Sequence, residues 1–297
     1  MGNSESQAQV KDSKNKDYFK SSYNWIPSFP MKEYDIITED TINKYSNIAY
    51  NEDKHYIDLR NNCPPIIDVG QIPLHPIATI ASLLNYQLTV NKLSVFPPSL
   101  LFIYKNCAFY KNVDSLLPYE VIFKSIEHFG VCSENDFKTT SDNLDKIPDY
   151  ECYKKAEPYK FINIYRVENC IKLVKQLLQN EIIIAIGITL YCDINKIIDK
   201  LWIPDFKTDK RLGGLTGLLV GYIDNIECFI VQLSFGKNFG QSGYIMLPYN
   251  YIKDKELVSE IYHINFNKAR VEGYLNQQKE LISLDIESIS KNNSYFS

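Results

Sequence analysis

Apolar residues change their spacing near position 160, and that change limits the fold more than any other feature of the chain. After Pro76, the residues Ile77, Ile80, Ala81, Leu84 and Leu88 recur three and four positions apart. This spacing predicts a helix with one buried face, and a proline in the first turn suits it because that N–H is unpaired anyway. Further helices are expected over 97–110 and in "PYEVIFKSIEHFG", where Gly130 is a natural stop. Residues 131–160 read as polar and irregular. From 161 the runs are short and β-rich: "KFINIYRV", "EIIIAIGITL", "TGLLVGYID", "CFIVQLSF" and "SGYIMLPY". One helix, "VENCIKLVKQLLQN", interrupts them. The pattern predicts an α+β fold of two lobes, helical over about 75–145 and antiparallel β-rich over about 160–252.

The ends read differently. Residues 1–20 carry too little apolar surface to order themselves and are expected to form a disordered tail. Residues 21–57 read as an extended arm lying on the fold. Residues 253–297 read as a helical appendage, with Val271, Tyr274, Leu275, Leu281 and Ile282 on one face. Gly2 and Ser6 fit the M-G-x-x-x-[ST] myristoylation pattern, which implies at most weak membrane attachment through Gly2. The most apolar run, "EIIIAIGITLY", is too short to span a bilayer.

Composition narrows the function classes. Of 297 residues, 23% are charged and the net charge is −4, so no basic footprint for nucleic acid exists. The seven cysteines include no C-x-x-C pair, so neither a zinc site nor a redox dithiol is indicated. Their scatter and odd count fit reduced thiols in an intracellular setting. No metal or other cofactor is expected.

Several ordered motifs together resemble the papain-like cysteine peptidases (peptidase C1-like), across about residues 58–252. "DLRNNCPPIIDVGQIPLHPIATIASLL" is similar to the family's D-[WL]-R…Q-G-x-x-G-S-C-x-A block at the head of its central helix. "FPPSLLFIY" resembles P-S-x-x-x-x-Y, and "GVCSENDF" resembles G-[VI]-C-x-E-x-x-[WY]. "GGLTGLLVGYID" is similar to G-G-H-A-V-x-x-V-G-Y-D, and "FIVQLSFGKNFGQSGYIMLPYNYI" to the N-S-W-G-x-x-W-G-x-x-G-Y block. The members from microbes and large DNA viruses stand nearest.

The resemblance implies a Cys–His–Asn peptidase with a glutamine in its oxyanion hole, but this chain departs from the pattern at all four positions. Val69 stands for the Gln, His75 for the nucleophilic Cys, Leu215 for the His and Leu233 for the Asn. Leu215 and Leu233 follow His75 by 140 and 158 positions, against roughly 130–150 in the family. Valine and leucine neither donate hydrogen bonds nor carry protons. The implied relict cleft is formed by Gly70, Gln71, His75, Gly213, Gly214, Ser234 and Phe235.

His75 has two readings: a base or metal ligand, or a polar residue that caps the helix start and stays partly exposed. The first needs partners, and His55, His128 and His263 lie in unrelated segments. Cys63, on the extended lead-in, is the one conceivable displaced nucleophile. The sequence therefore points to a pseudopeptidase kept for peptide or protein binding, or for a structural, even virion-associated, role. The alternatives are a divergent active cysteine-type peptidase with rearranged residues, and an adaptor tethered through Gly2.

Overall fold

The computed structural model describes residues 25–28, 34–42, 48–70, 72–110, 116–191, 208–209 and 211–293. Short strands β1 (Asp35–Ile37) and β2 (Tyr56–Asp58) precede the helical region. The central helix α1 (His75–Val90) follows, then α2 (Leu100–Cys107), α3 (Tyr119–Phe129) and α4 (Tyr150–Ala156). After β3 (Ile162–Val167) come α5 (Ile171–Gln179), β4 (Ile184–Leu190), β5 (Gly213–Ile223), β6 (Cys228–Gln232) and β7 (Tyr244–Pro248). The short α6 (Tyr249–Lys253), β8 (Val258–Phe266) and the long α7 (Lys268–Asn293) complete the order.

The strands join one mixed sheet in the order β1-β3-β8-β4-β5-β6-β7, with β2 paired to β5. Only β1 and β3 run parallel; the other pairs are antiparallel. Every residue of β4 is buried, as its unbroken apolar sequence requires of a strand covered on both faces. The expected α+β architecture is the one observed.

Three local expectations need correction. First, α1 does not bury a single face: 13 of its 16 residues are buried. It lies between the other helices and the sheet, and Ala78 and Ser82 on its remaining sides let neighbours approach. Second, "irregular" 131–160 contains α4. Its start is fixed by Asp149, whose carboxylate accepts the Cys152 N–H at 2.9 Å, an N-cap too short-range for a periodicity argument to register. Third, residues 253–297 are not all appendage. "VSEIYHINF" forms β8 between β3 and β4, in the middle of the sheet, and only α7 projects from it. On α7, Val271 is buried, Tyr274 and Leu275 half-buried and Leu281 exposed, so among the described side chains the expected apolar face packs at its near end; the Ile282 side chain lies outside those described.

Gly130 ends α3 with φ +73°, and a Cβ there would strike the Ala156 carbonyl, so this position can hold only glycine. The tail with Gly2, and Gln71, fall outside the described residues.

Candidate functional site

Two contacts hold the amino end of α1 against the sheet. The His75 Nδ1 lies 2.8 Å from the Ser234 hydroxyl, which directly follows Leu233. One turn further on, the Thr79 hydroxyl meets that of Thr216 at 2.9 Å, next to Leu215. The Val69 N–H donates to the Ser234 carbonyl at 3.3 Å. Positions far apart in sequence thus converge at one end of α1, as the motif alignment requires. Val69, Leu215 and Leu233 are all buried in the apolar core.

His75 is neither a cap nor exposed, which corrects the sequence expectation. No side chain caps α1. The imidazole is 2% exposed, its ring 4.3 Å from that of Phe235. Burial pulls its pKa down to about 3, so it is neutral at pH 7. An imidazole enters such a core only with a partner, and Ser234 is that partner. Ser234→Ala would strand the buried nitrogen and is expected to cost about 1–3 kcal/mol in denaturant unfolding. A loss well below that range would show that the bond is dispensable.

Cys63, the conceivable displaced nucleophile, offers no substitute. Cys63 is mostly buried, and burial, with a smaller push from Asp58, drives its pKa up to about 12. A thiol kept protonated in this way is a poor nucleophile. His55 sits 3.1 Å from Asp224 and His128 2.8 Å from the Tyr110 hydroxyl, both at the surface, while His263 is buried in β8. Among the described residues no group of three or more metal-ligating side chains gathers.

Sequence reasoning missed a residue that lies over Gly214, one of the expected cleft residues. Trp25, in the amino-terminal arm, is fully buried. Cross-strand partners share a face, so the pairs Gly187↔Thr216 and Thr189↔Gly214 put these four residues on the side of the sheet that Thr216 turns to α1. The indole lies over Gly187 and Gly214, where a Cβ on either would collide with it. The Trp25 backbone N–H donates to the Gly214 carbonyl at 3.4 Å, and the indole ring is 6.0 Å from that of Tyr119. Three residues on, the Ser28 N–H donates to the Glu260 carboxylate at 3.2 Å, and the Ser28 hydroxyl accepts the Glu120 N–H at 3.3 Å. The arm is therefore docked by backbone and side chain together. The sequence signal was a tryptophan in an aperiodic arm, together with glycines at positions 187 and 214 in two strongly apolar strands.

The relict-cleft residues divide accordingly. Ser234 and Phe235 close over His75, Gly214 lies beneath Trp25, Gly213 is half-buried at the start of β5, and Gly70 turns the lead-in with φ +58°.

No family profile matches the chain. A peptidase C1-like protein of Acanthamoeba polyphaga mimivirus, L477, itself uncharacterized, is 27% identical over 185 residues. That match covers 58% of this chain and 60% of the viral protein, so the chain spans about 60% of the curated relative's length. Among solved structures, xylellain, a cysteine protease from Xylella fastidiosa, is 27% identical with a TM-score of 0.71, covering 83% of this chain and 97% of xylellain. Digestive procathepsin L2 from Tenebrio molitor larval midgut, at 12% identity and a TM-score of 0.67, covers 84% of this chain and 80% of its own and shares the fold. The chain therefore has the papain-like fold and is similar in sequence to peptidase C1-like proteins.

Proposed function

We propose that this chain is a papain-like pseudopeptidase: it cleaves no peptide bond and serves as a binding or structural component. The carrying observation is His75, a neutral, sealed imidazole bonded to Ser234 where the family alignment puts the nucleophile. A papain-like reaction needs a thiolate, a mobile imidazole and an oxyanion hole acting as a unit. Here their positions are held by apolar side chains and one locked ring. The arm around Trp25 supports the same reading, because it occupies in cis the groove an extended peptide would enter. Binding through that groove requires the arm to leave. A virion-associated role is consistent with the mimivirus relative and is part of the proposal.

One observation favours the alternative, a hydrolase with rearranged residues. A serine hydroxyl 2.8 Å from an imidazole is the spacing of a nucleophile and its base. Both groups are buried, however, and an imidazole with a pKa near 3 is a weak base at neutral pH.

The test is labelling with a thiol-reactive epoxide and a serine-reactive fluorophosphonate, together with cleavage of a peptide library. Cys63→Ala and Ser234→Ala serve as controls. The expected result is neither site-specific labelling nor turnover. Cleavage abolished by either substitution would replace the pseudopeptidase with an active enzyme and identify its nucleophile.

A further inference from the structure

We propose that Cys132 and Cys152 form a reversible disulfide that staples α4 to the turn after α3, open at a reducing glutathione poise and closed at an oxidising one. The inference stands apart from the pseudopeptidase reading and makes no use of the groove.

Six buried residues, Leu101, Phe102, Cys132, Phe137, Cys152 and Ala156, pack into a small core separate from the main one. Backbone contacts bring its two cysteines together. The Cys132 carbonyl accepts the Ser99 N–H at 2.9 Å, which fixes the chain just after α3. The Asp136 and Phe137 N–H groups then both donate to the Ser133 carbonyl, at 2.9 and 3.2 Å, so residues 133–137 curl into one turn. The Cys152 thiol donates to the Asp136 carbonyl of that turn at 3.7 Å. Asp149 holds Cys152 from the other side by accepting its N–H at 2.9 Å. The Cys132 thiol in turn donates to the Cys152 sulfur. Closing the staple therefore asks only that a hydrogen-bonded thiol pair contract to a bond of about 2 Å.

Burial raises the pKa of both thiols, so in the closed structure each stays protonated at neutral pH and is protected from adventitious reaction. Access comes through local opening. The seven residues of α4 are too few to hold a helix without packing, and the core they cover is small. Such a unit opens at a lower cost than global unfolding.

In the opened state the Cys152 thiolate attacks one sulfur of glutathione disulfide. That S–S bond breaks, a glutathione thiolate leaves, and Cys152 carries the mixed disulfide. The Cys132 thiolate then attacks the Cys152 sulfur and expels the second glutathione. The protein dithiol loses two electrons, which reduce the glutathione disulfide, and the two thiol protons pass to the departing thiolates. The resulting ring joins positions 20 apart (152−132) and locks the small core shut.

The experiment equilibrates the full chain in glutathione buffers from reduced to oxidised, at about pH 8.5 so that more of each thiol ionises. The chain is then alkylated and digested with trypsin without reduction. Cleavage after Lys124, Lys138, Lys146 and Lys154 puts Cys132 alone in peptide 125–138 and Cys152 alone in peptide 147–154. The expected result is that these two peptides are joined in most molecules at the oxidised end and separate again in excess reduced glutathione. The thermal midpoint should rise by at least about 3 °C on oxidation. Cys132→Ala and Cys152→Ala should each lose both the joined peptide and the rise. If either variant fails to fold, judged by near-ultraviolet circular dichroism, the mapping and midpoint of the unsubstituted chain decide. Absence of the joined peptide, either cysteine held only by glutathione or by another cysteine, or a midpoint unmoved when the pair is joined would overturn the proposal.

Discussion

Trp25→Ala is expected to cost about 3–5 kcal/mol of folding stability, the range for removing a large buried aromatic side chain. The site cannot collapse onto the hole. The sheet beneath the indole is bare at Gly187 and Gly214, and neither glycine has a side chain to move into the space. Trp25→Phe is expected to be far milder. It keeps most of the ring and removes an indole N–H that is buried without a partner, a group whose desolvation alone costs about 1–3 kcal/mol. Denaturant midpoints of the two variants measure the difference. The alanine variant should also regain stability when free indole is added, since an apolar hole of this kind binds its missing ring and ligand binding stabilises by mass action. A loss below about 1 kcal/mol for Trp25→Ala would mean that the arm rests on the groove without being held by it.

Acid should unfold the protein more readily than a typical globular chain, and two histidines are the cause. Burial lowers the His75 pKa to about 3 and that of His263 to about 4, both from 6.5. In the folded state each ring is neutral over the window from about 4 to 6.5, whereas in the unfolded chain each binds a proton there. The unfolded state therefore takes up more protons, and stability falls as the pH drops through that window. It is fully present above about pH 6.5. Each ring contributes a slope of up to about 1.4 kcal/mol per pH unit, the two together about 2.7. Glu260 works against them: burial raises its pKa above 4.5, so the folded carboxyl holds a proton that the unfolded one has lost. Glu260 offsets at most one of the two rings, so the net slope below about pH 6.5 stays positive. Urea unfolding at about pH 7 and about pH 5 reads the slope. His75→Gln, which can still bond Ser234 but does not titrate, should halve the histidine part. A stability unchanged between those two pH values would contradict the burial of both rings.

Much of the fold was legible in the residues. The 3.6-residue stripe after Pro76, the β-branched runs after 161 and the paired V-G-Y and G-Y-I-M-L-P-Y endings fixed element type, order and family resemblance, because each is a local or linear pattern. The same kind of pattern located Val69, His75, Leu215 and Leu233 as equivalent positions, and the observed bonds to Ser234 and Thr216 bring them to one end of α1.

Sequence by itself determined which chemical groups this protein has at the positions aligned with the family's catalytic residues, since identity at a motif position is a one-dimensional fact. Tertiary structure alone decided what surrounds them. Whether His75 meets water or Ser234, whether Trp25 is exposed or buried, and whether "VSEIYHINF" is an appendage or a central strand depend on contacts between residues about 70 to 190 positions apart. Burial and partner choice follow from which surfaces fold against each other, and no periodicity along the chain records that.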